Sequence, residues 1–395
     1  MTNATISSNE VLPGPRKSVR PLRIGIDAHG VGGHSKGHGN ETYFKNLIVN
    51  LLAIDDHNEY HIFVNHPESL EGPLAGRMNA KRVALFPHNQ WIQRPVSIPL
   101  YVRKHNLDLV HFPFIRPPFV KAKTVVTVHD IFYEVYPEYF RAIDRWRMKW
   151  LVPRSCVKAD CVFTVSEHAR KQIHEMYGTP LEKIVVTYNA ADQFQRRATS
   201  PPPSRKLDLP QHFLLYIGQI QPKKNLVRLV QAFDRVKSRL DIPHHLVLGG
   251  AMGWKNQELM KVMKHLPNRD KIHFTGYVSE ADVKAILPRA ELFVFPSVFE
   301  SFGIPPLEAQ QFRIPALVSN STCFPEIFGD SVHYCDPLDV ESIARGMEQL
   351  LLDKNLRESM VRRGSEWAKR YTWQNSARIA LDAYRNVCAK GESRA

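Results

Sequence analysis

The stretch FVFPSVFESFGIPPLEAQ, Phe293 to Gln310, decides how the fold is interpreted. It begins with an apolar strand, Leu292–Phe295, and continues into a loop that contains Gly303. A helix can then open at one of two prolines, Pro305 or Pro306. Glycine lets the backbone approach a ligand closely, and the first amides of a helix favour an anion. The pattern therefore predicts a phosphate site at the start of this helix.

Two acidic side chains flank the predicted phosphate site. Glu300 lies on the loop, and Glu308, separated from it by seven residues, lies about one turn into the helix. Each carboxylate can accept hydrogen bonds from hydroxyl groups. Since proline has no N–H, the amide donors must be those of Gly303, Ile304 and Leu307. A phosphate flanked by hydroxyl groups indicates a sugar nucleotide.

The segment ESFGIPPLE, 300–308, resembles the two-glutamate signature of the retaining glycosyltransferases of family 4. The resemblance covers about Leu22 to Tyr384. It implies the GT-B fold, in which two α/β domains face each other across a cleft. It also implies that Glu308 binds the nucleotide ribose and that Glu300 binds hydroxyls of the donor sugar.

The order of apolar and helical stretches predicts the same fold class from the residues themselves. Short apolar strands alternate with helices in both halves of the chain, which is typical of parallel sheets covered on both faces. We therefore predict an α/β protein with two doubly wound, Rossmann-like domains. The strands are expected near Leu22–Ala28, Tyr60–Val64, Arg82–Phe86, Asp108–Phe112, Thr124–His129, Cys161–Val165, Lys183–Tyr188, His212–Gly218, His245–Gly249, Lys271–Thr275 and Leu292–Phe295.

The same patterning predicts the domain boundaries. Residues 1–20 read as a disordered polar tail without the apolar middle of a secretion signal. We expect an acceptor-side domain at 21–195, a proline-rich linker at 196–211 and a nucleotide-sugar-binding domain at 212–372. Residues 373–395 are expected to form a helix that packs on the first domain.

A second candidate site is the turn GQIQPKKN, 218–225, which follows the first strand of the second domain. A lysine at this edge can place its ammonium group on a phosphate, and the turn resembles the family's G-x-x-x-P-x-K-N segment. Many family members carry an arginine where this chain has Gln219, so one fixed charge is missing. Lys224 is the predicted diphosphate ligand, and Lys223 is a candidate to compensate.

The strand TVVTVHD, 124–130, ends in a histidine that is predicted to face the cleft. There His129 could hydrogen-bond a sugar hydroxyl. The segment VTVHDIFYEVYPEYF resembles the family's His-Asp strand end, whose histidine is thought to contact the donor sugar. Asp130 could orient the imidazole or close the turn. The predicted catalytic residues are thus His129, Lys224 and Glu300.

The remaining site predictions concern the donor pocket and a glycine loop. The loop that contains Gly37, His38 and Gly39 resembles the family segment that approaches the leaving phosphate and the acceptor. A nicotinamide fingerprint is weak there, since Ser35 replaces the third glycine of G-x-G-x-x-G. We interpret His29, His34 and His38 as polar loop residues and predict no metal site. The predicted donor-binding residues are Gly218, Gln219, Lys223, Ser301, Phe302, Gly303, Ile304 and Glu308.

Composition restricts the class of protein. The chain has 395 residues, of which 43% are hydrophobic and 23% charged, as in a folded globular protein. No apolar run approaches the ~20 residues that cross a bilayer. Five cysteines without C-x-x-C spacing indicate neither disulfides nor zinc, so a cytoplasmic location is expected. The net charge of +14 could serve nucleic acid, an anionic membrane or solubility, and no nucleic-acid-binding motif is present.

The segment Phe140–Lys158 interleaves basic residues with Trp146 and Trp150. It could lie on an anionic membrane, at the inner face, and bring a lipid-linked acceptor to the cleft. It could equally be a domain helix that packs its tryptophans inward, and Pro153 weakens an uninterrupted interfacial helix.

These motifs together predict a retaining hexosyltransferase that needs no cofactor. The expected substrates are a nucleotide-diphosphate sugar, with GDP-mannose favoured over UDP-glucose and UDP-N-acetylglucosamine, and a glycan or polyprenyl-linked acceptor. The sequence contains no Asp-x-Asp pair, so metal-independent transfer is expected. The alternatives are a sugar-nucleotide epimerase on the same two-domain plan, a catalytically silent carbohydrate-binding scaffold and a basic nucleic-acid binder.

Overall fold

The computed structural model describes residues 20–32, 39–65, 70–87, 89, 92–192 and 208–392. Residues 1–19 of the expected tail, most of the expected linker, and His34, Ser35, Gly37 and His38 of the glycine loop therefore lie outside the described residues. Within them, the strands form two parallel sheets, one in each half of the chain. The expectation of an α/β protein with two doubly wound sheets is confirmed.

The first sheet has seven strands in the order β3-β2-β1-β4-β5-β6-β7. All neighbouring strands are parallel, and most of their residues are buried because helices cover both faces. The strands are β1 Arg23–Asp27, β2 Glu59–Val64, β3 Ala80–Ala84, β4 Leu109–Pro113, β5 Lys123–Thr127, β6 Cys161–Thr164 and β7 Ile184–Val186. The associated α-helices are Gly39–Ile54, Glu71–Leu74, Ile98–Lys104, Phe132–Val135, Ala142–Lys158 and Glu167–Tyr177.

The second sheet has six parallel strands in the order β10-β9-β8-β11-β12-β13. Its strands are β8 Phe213–Ile217, β9 His245–Gly249, β10 Ile272–Gly276, β11 Leu292–Phe295, β12 Ala316–Ser319 and β13 His333–Cys335. Between β8 and the last helix of the chain, the α-helices are Leu226–Arg239, Gln257–Met263, Glu280–Ile286, Ile304–Gln311, Phe324–Phe328, Val340–Leu352 and Lys354–Ala368. The strands β12, of four residues, and β13, of three, are absent from the sequence-based prediction.

The strand order reverses direction at one place in each sheet. In the first sheet the chain leaves β1 for β2 and later returns to pair β4 on the other side of β1, and β8 and β11 repeat this arrangement. Ligands of doubly wound sheets bind at such switch points, beyond the carboxyl ends of the strands. The predicted phosphate loop follows β11, so it lies at the switch point of the second sheet.

The last helix, Trp373–Glu392, packs against the first domain. Its Tyr384 hydroxyl lies 2.7 Å from Nδ1 of His111, a residue of β4. The Trp373 ring packs edge-on against Tyr43 of helix Gly39–Ile54, with ring centroids 6.1 Å apart. The last helix of the chain thereby packs on the domain that contains the first sheet. The exact domain boundaries stay a prediction.

Candidate functional site

Lys224 and Glu300 form a buried ion pair beyond the carboxyl ends of β8 and β11. The Lys224 Nζ atom lies 2.5 Å from Oε1 of Glu300. Only 11% of the lysine side chain and 10% of the glutamate side chain are exposed. Burial lowers the pKa of Lys224, while the neighbouring Glu300 carboxylate opposes this effect. The two residues lie 76 positions apart in the sequence, and only the fold brings them together.

The two loops that carry this pair are tied to each other through their backbones. Asn225 adopts a left-handed conformation with φ 63° and donates from Nδ2 to the carbonyl oxygens of Pro296, at 2.9 Å, and Pro337, at 2.6 Å. The N–H of Val298 donates to the carbonyl oxygen of Lys223 at 2.9 Å. The asparagine of the P-x-K-N turn thus holds the lysine loop against the glutamate loop.

The predicted phosphate site has the expected helix. Gly303 is the N-cap of helix Ile304–Gln311 and adopts φ 95°. A Cβ atom at this glycine would lie 2.5 Å from Cε1 of Phe324, so no other residue fits without displacing that ring. Ile304 is the first helical residue and Pro305 the second, so the helix begins one residue earlier than expected.

Glu308 lies in the same helix and is partly exposed. Surrounding protein atoms desolvate its carboxyl group and, together with the negative charge of Glu280, raise its pKa to about 8. A carboxyl group with this pKa is mostly protonated at pH 7, and hydrogen bonds donated by hydroxyl groups of a ligand would favour its charged form.

His129 lies two residues beyond the end of β5 and is buried, with 9% of its surface exposed. Its ring packs edge-on against Tyr43 with centroids 4.8 Å apart. Burial lowers the pKa of His129 to about 4, so the imidazole is neutral at pH 7. Among the described residues, no hydrogen-bond partner reaches its Nε2 atom, which leaves this nitrogen available for a ligand.

Asp130 closes the turn after β5. Its Oδ1 atom accepts a hydrogen bond from the N–H of Phe132 at 3.1 Å. Of the two roles considered for Asp130, the structure shows the second, in which the carboxylate fixes the loop after the histidine.

Aromatic contacts join the two sides of the cleft next to these groups. The Phe132 ring of the first domain packs against Phe299 of the second domain, with centroids 5.2 Å apart. The Lys223 Nζ atom lies 4.9 Å from the centroid of the same Phe132 ring. Because His129 precedes Phe132 and Glu300 follows Phe299, these contacts bring the histidine strand end and the glutamate loop to one region.

The other predicted donor-binding residues share these loops. Gly218 and Gln219 follow β8, and Ser301 and Phe302 lie between Glu300 and the helix start. Gly39, expected in the acceptor loop, is the first residue of helix Gly39–Ile54 and is exposed.

The sequence analysis missed an acidic group at the end of β1. Asp27 is buried, and its Oδ1 atom is in hydrogen-bonding contact with Nδ1 of His29. Burial alone would raise the pKa of Asp27, but the adjacent His29 and the Arg94 guanidinium 3.4 Å away hold it well below its usual range. His29 lies in the turn after β1, as expected of a loop residue, but it is buried there and its ring contacts Asp27 inside the protein.

A further buried hydroxyl at the end of β11 was also missed. The Oγ atom of Ser297 has no hydrogen-bond partner among the described residues. The signal for both residues was available in the sequence, because each is a polar residue at or just after the carboxyl end of a strand next to a switch point.

The basic, aromatic segment forms one continuous helix, Ala142–Lys158, that runs through Pro153. Trp146 is 65% exposed and Trp150 48% exposed, so the alternative in which both tryptophans pack inward is wrong. The two rings stack at 6.5 Å, and the Arg154 guanidinium lies 4.0 Å above Trp150. No helix of the described residues is long and apolar enough to span a bilayer.

Two family models cover most of the chain. The model described as "Glycosyltransferase Family 4" matches residues 38–193, and the one described as "Glycosyl transferases group 1" matches residues 202–367. The O-antigen chain mannosyltransferase B of Escherichia coli is 33% identical over 289 residues, which are 72% of this chain and 76% of that protein.

Solved structures share the fold at lower identity. WaaG, a glycosyltransferase involved in lipopolysaccharide biosynthesis, aligns with a TM-score of 0.68 at 15% identity, over 92% of this chain and 99% of WaaG. Alr3699/HepE of Anabaena, solved in complex with UDP and glucose, aligns with a TM-score of 0.65 at 15% identity, over 92% of this chain and 99% of HepE.

Proposed function

The chain belongs to glycosyltransferase family 4, and we propose from this membership that it moves a hexose from a nucleotide-diphosphate sugar to a hydroxyl group of a glycan or lipid-linked acceptor. Its two parallel sheets form the GT-B fold of its structural neighbours. The chain is a glycosyltransferase. The donor, the acceptor, the stereochemistry and the independence from metal belong to the proposal.

One observation carries the proposal. Lys224, Glu300 and the N-terminal end of the helix that Gly303 caps lie together at the switch point of the second sheet. His129 lies across the cleft from them. A nucleotide diphosphate needs positive charge near its phosphates, which the lysine and the helix amides supply. A hexose needs hydrogen-bonding groups around its hydroxyls, and the Glu300 carboxylate and the neutral imidazole offer an acceptor and a donor–acceptor pair.

In the proposed reaction no group of the protein forms a bond to the sugar. The bond between the anomeric carbon and the diphosphate oxygen breaks, and the acceptor oxygen forms its bond on the same face of the sugar. The acceptor proton passes to the departing phosphate. The main catalytic contribution is then the stabilisation of negative charge on the leaving diphosphate by Lys224 and the amides at Gly303 and Ile304.

We favour mannose as the transferred sugar. The support is the O-antigen chain mannosyltransferase of E. coli, which is 33% identical over 72% of this chain. The neighbour solved with UDP and glucose, at 15% identity, keeps a UDP-sugar as the second candidate.

The proposed acceptor is bound to a lipid carrier. The support is the exposed pair of Trp146 and Trp150 on helix Ala142–Lys158. This helix also carries five basic residues, Arg145, Arg147, Lys149, Arg154 and Lys158. Lys149 connects this helix to the region after His129, because its Nζ atom lies 2.8 Å from the carboxylate of Glu134 in helix Phe132–Val135. A membrane surface that holds this helix would place the acceptor beside the donor site.

The experiment that tests the proposal is the incubation of purified protein with GDP-, UDP- and ADP-sugars in the presence of EDTA, with slow donor hydrolysis followed by mass spectrometry. Release of GDP from GDP-mannose is the expected result. The anomeric signal of the transferred sugar in the NMR spectrum then distinguishes retention from inversion. A donor isomerised while still attached to its nucleotide would support the epimerase, and absence of release from every donor, with or without magnesium, would support the silent scaffold.

A further inference from the structure

Three side chains of the types that bind metal ions lie side by side at the amino-terminal edge of the second sheet. His212, His244 and Glu291 each immediately precede a strand: β8, β9 and β11 respectively. These three strands are neighbours in the order β9-β8-β11. Parallel strands begin at one edge of a sheet, so the topology brings the three side chains to the same place.

Their potential ligand atoms are close together. The His212 Nδ1 atom lies 2.6 Å from one carboxylate oxygen of Glu291, and the His244 Nε2 atom lies 3.0 Å from the other. Taking one ligand atom from each residue, all three lie within 4.8 Å of one another. Nitrogen and oxygen ligands stand about 2.0–2.2 Å from zinc, so movements of about an ångström in the side chains would place an ion between them.

The backbones that carry the three residues are held by the sheet. The N–H of His245 donates to the carbonyl oxygen of His212 at 2.9 Å, and the N–H of Glu291 donates to that of Phe213 at 3.1 Å. Backbone hydrogen bonds of this kind fix where each side chain starts. A site built on strand ends is therefore more rigid than one built on a loop.

One of the three side chains is largely buried and the other two are partly exposed, an arrangement compatible with an ion that also binds water. Only 12% of the His244 side chain is exposed, and its Nδ1 atom has no hydrogen-bond partner among the described residues. The side chains of His212 and Glu291 are each 42% exposed, which leaves one side open to water. An ion here could thus complete its coordination shell with solvent.

We propose that His212, His244 and Glu291 bind a divalent transition-metal ion of the zinc class. Two imidazoles and one carboxylate suit zinc, nickel or copper and do not suit magnesium or calcium, which prefer oxygen ligands. A neutral imidazole is the form that binds a metal ion. On binding, each histidine would therefore give up its hydrogen bond to Glu291, and all three side chains would contact the ion instead.

The site is structural and separate from the sugar-transfer reaction. The donor site lies beyond the carboxyl ends of β8 and β11, and the metal ligands precede the same strands. Five residues of strand span on the order of 15 Å, so the ion cannot touch a substrate in the cleft. Binding would tie three strand starts together and stabilise the second domain. The inference therefore does not rest on the proposed function.

The test is a titration of the untagged full-length protein, stripped with EDTA, with zinc chloride against a chromophoric chelator. We compare wild type with His212→Ala and Glu291→Gln, whose exposed positions limit effects on folding. His265→Ala serves as the matched control, because it removes an exposed histidine from the same domain. Wild type and control are expected to share one class of zinc site that each variant weakens by about tenfold or more, as changes around metal sites typically do.

Thermal unfolding gives a second measurement. An ion that binds only the folded protein raises the melting temperature, on the order of 5 °C at a hundredfold excess over its dissociation constant. Wild type and His265→Ala should show this rise, and the two site variants should lose it. Two results would overturn the proposal: equal zinc binding and equal thermal shifts in wild type and the site variants, or no zinc binding by wild type. The three residues would then form only a pair of hydrogen bonds, in which the Glu291 carboxylate bridges His212 and His244.

Discussion

The ammonium group of Lys224 lies 2.5 Å from the carboxylate of Glu300, and both side chains are about nine-tenths buried. A buried charge pair with so little solvent contact is stable only while both partners are present. A diphosphate that approaches Lys224 would share this ammonium with Glu300, and the sugar beyond it would find the carboxylate already oriented. In the proposed reaction, the ion pair would therefore hold both side chains in place before the donor binds.

We predict that Lys224→Ala lowers turnover by about a hundredfold or more, by analogy with the loss of one oxyanion donor. The measurement is kcat for the donor identified by hydrolysis. Lys171→Ala, which removes an exposed lysine from helix Glu167–Tyr177, is the matched control and should retain wild-type turnover.

The same variant should also unfold more easily, because Glu300 is left as a buried charge without its partner at a cost of about 3–5 kcal/mol. The double variant Lys224→Met/Glu300→Gln removes both charges, so it should recover most of the free energy of unfolding while remaining inactive. Recovery of activity in this double variant would contradict the assigned role of the pair.

The Lys224–Glu300 pair also marks the limit of what the sequence could predict. The strand-loop-helix pattern around Gly303 predicted the helix that follows this glycine, because glycine and proline act on the backbone of adjacent residues. The direct contact between Lys224 and Glu300 depends on how two loops 76 residues apart are placed by β8 and β11, and no local pattern encodes that. The inward position of His29 likewise depends on its contact with Asp27, which a histidine-rich loop does not suggest.

Gly303→Ala is predicted to destabilise the second domain more than an ordinary loss of glycine. Gly178 provides the matched control, because it also has a positive φ, of 64°, but a Cβ atom there meets nothing within 4 Å. Gly178→Ala should cost about 1–2 kcal/mol from backbone strain alone. Gly303→Ala should cost a further ~1–3 kcal/mol, because its Cβ would overlap Phe324. Chemical unfolding of the two variants measures the difference, and equal losses would mean that the Phe324 ring yields without cost.

Glu308 should make the protein less stable as the pH rises from about 4.5 to about 8. Its pKa is about 8 in the folded protein, against an ordinary value of 4.5, so in this window the folded chain holds a proton that the unfolded chain has lost. The free energy of unfolding falls with pH wherever the folded state binds more protons.

Glu308→Gln removes this titration and should therefore gain stability relative to wild type as the pH is raised from 5 to 8. The measurement is the urea midpoint at several pH values. Glu366→Gln, a substitution of an exposed glutamate in helix Lys354–Ala368, is the control and should follow the wild-type curve. If Glu308→Gln follows the wild-type curve as well, the carboxyl group is not held protonated in the folded protein.

The exposed tryptophans of helix Ala142–Lys158 predict binding to anionic membranes. Indole rings favour the membrane interface, and each basic residue near an anionic surface contributes about 1 kcal/mol at low salt. Trp146→Ala/Trp150→Ala should therefore lower the fraction that sediments with phosphatidylglycerol vesicles several-fold. Trp254→Ala is the matched control, since Trp254 is 41% exposed but lies in the second domain outside this helix, and it should bind as wild type does.

Varying the salt concentration and the lipid charge tests how much of this membrane binding is electrostatic. Wild type should bind phosphatidylglycerol vesicles at low salt, dissociate as sodium chloride approaches 1 M, where the screening length is only about 3 Å, and ignore neutral phosphatidylcholine vesicles. Equal binding of wild type and the double variant would show that the two tryptophans do not contribute to membrane binding. The acceptor would then have to reach the cleft without help from these two rings.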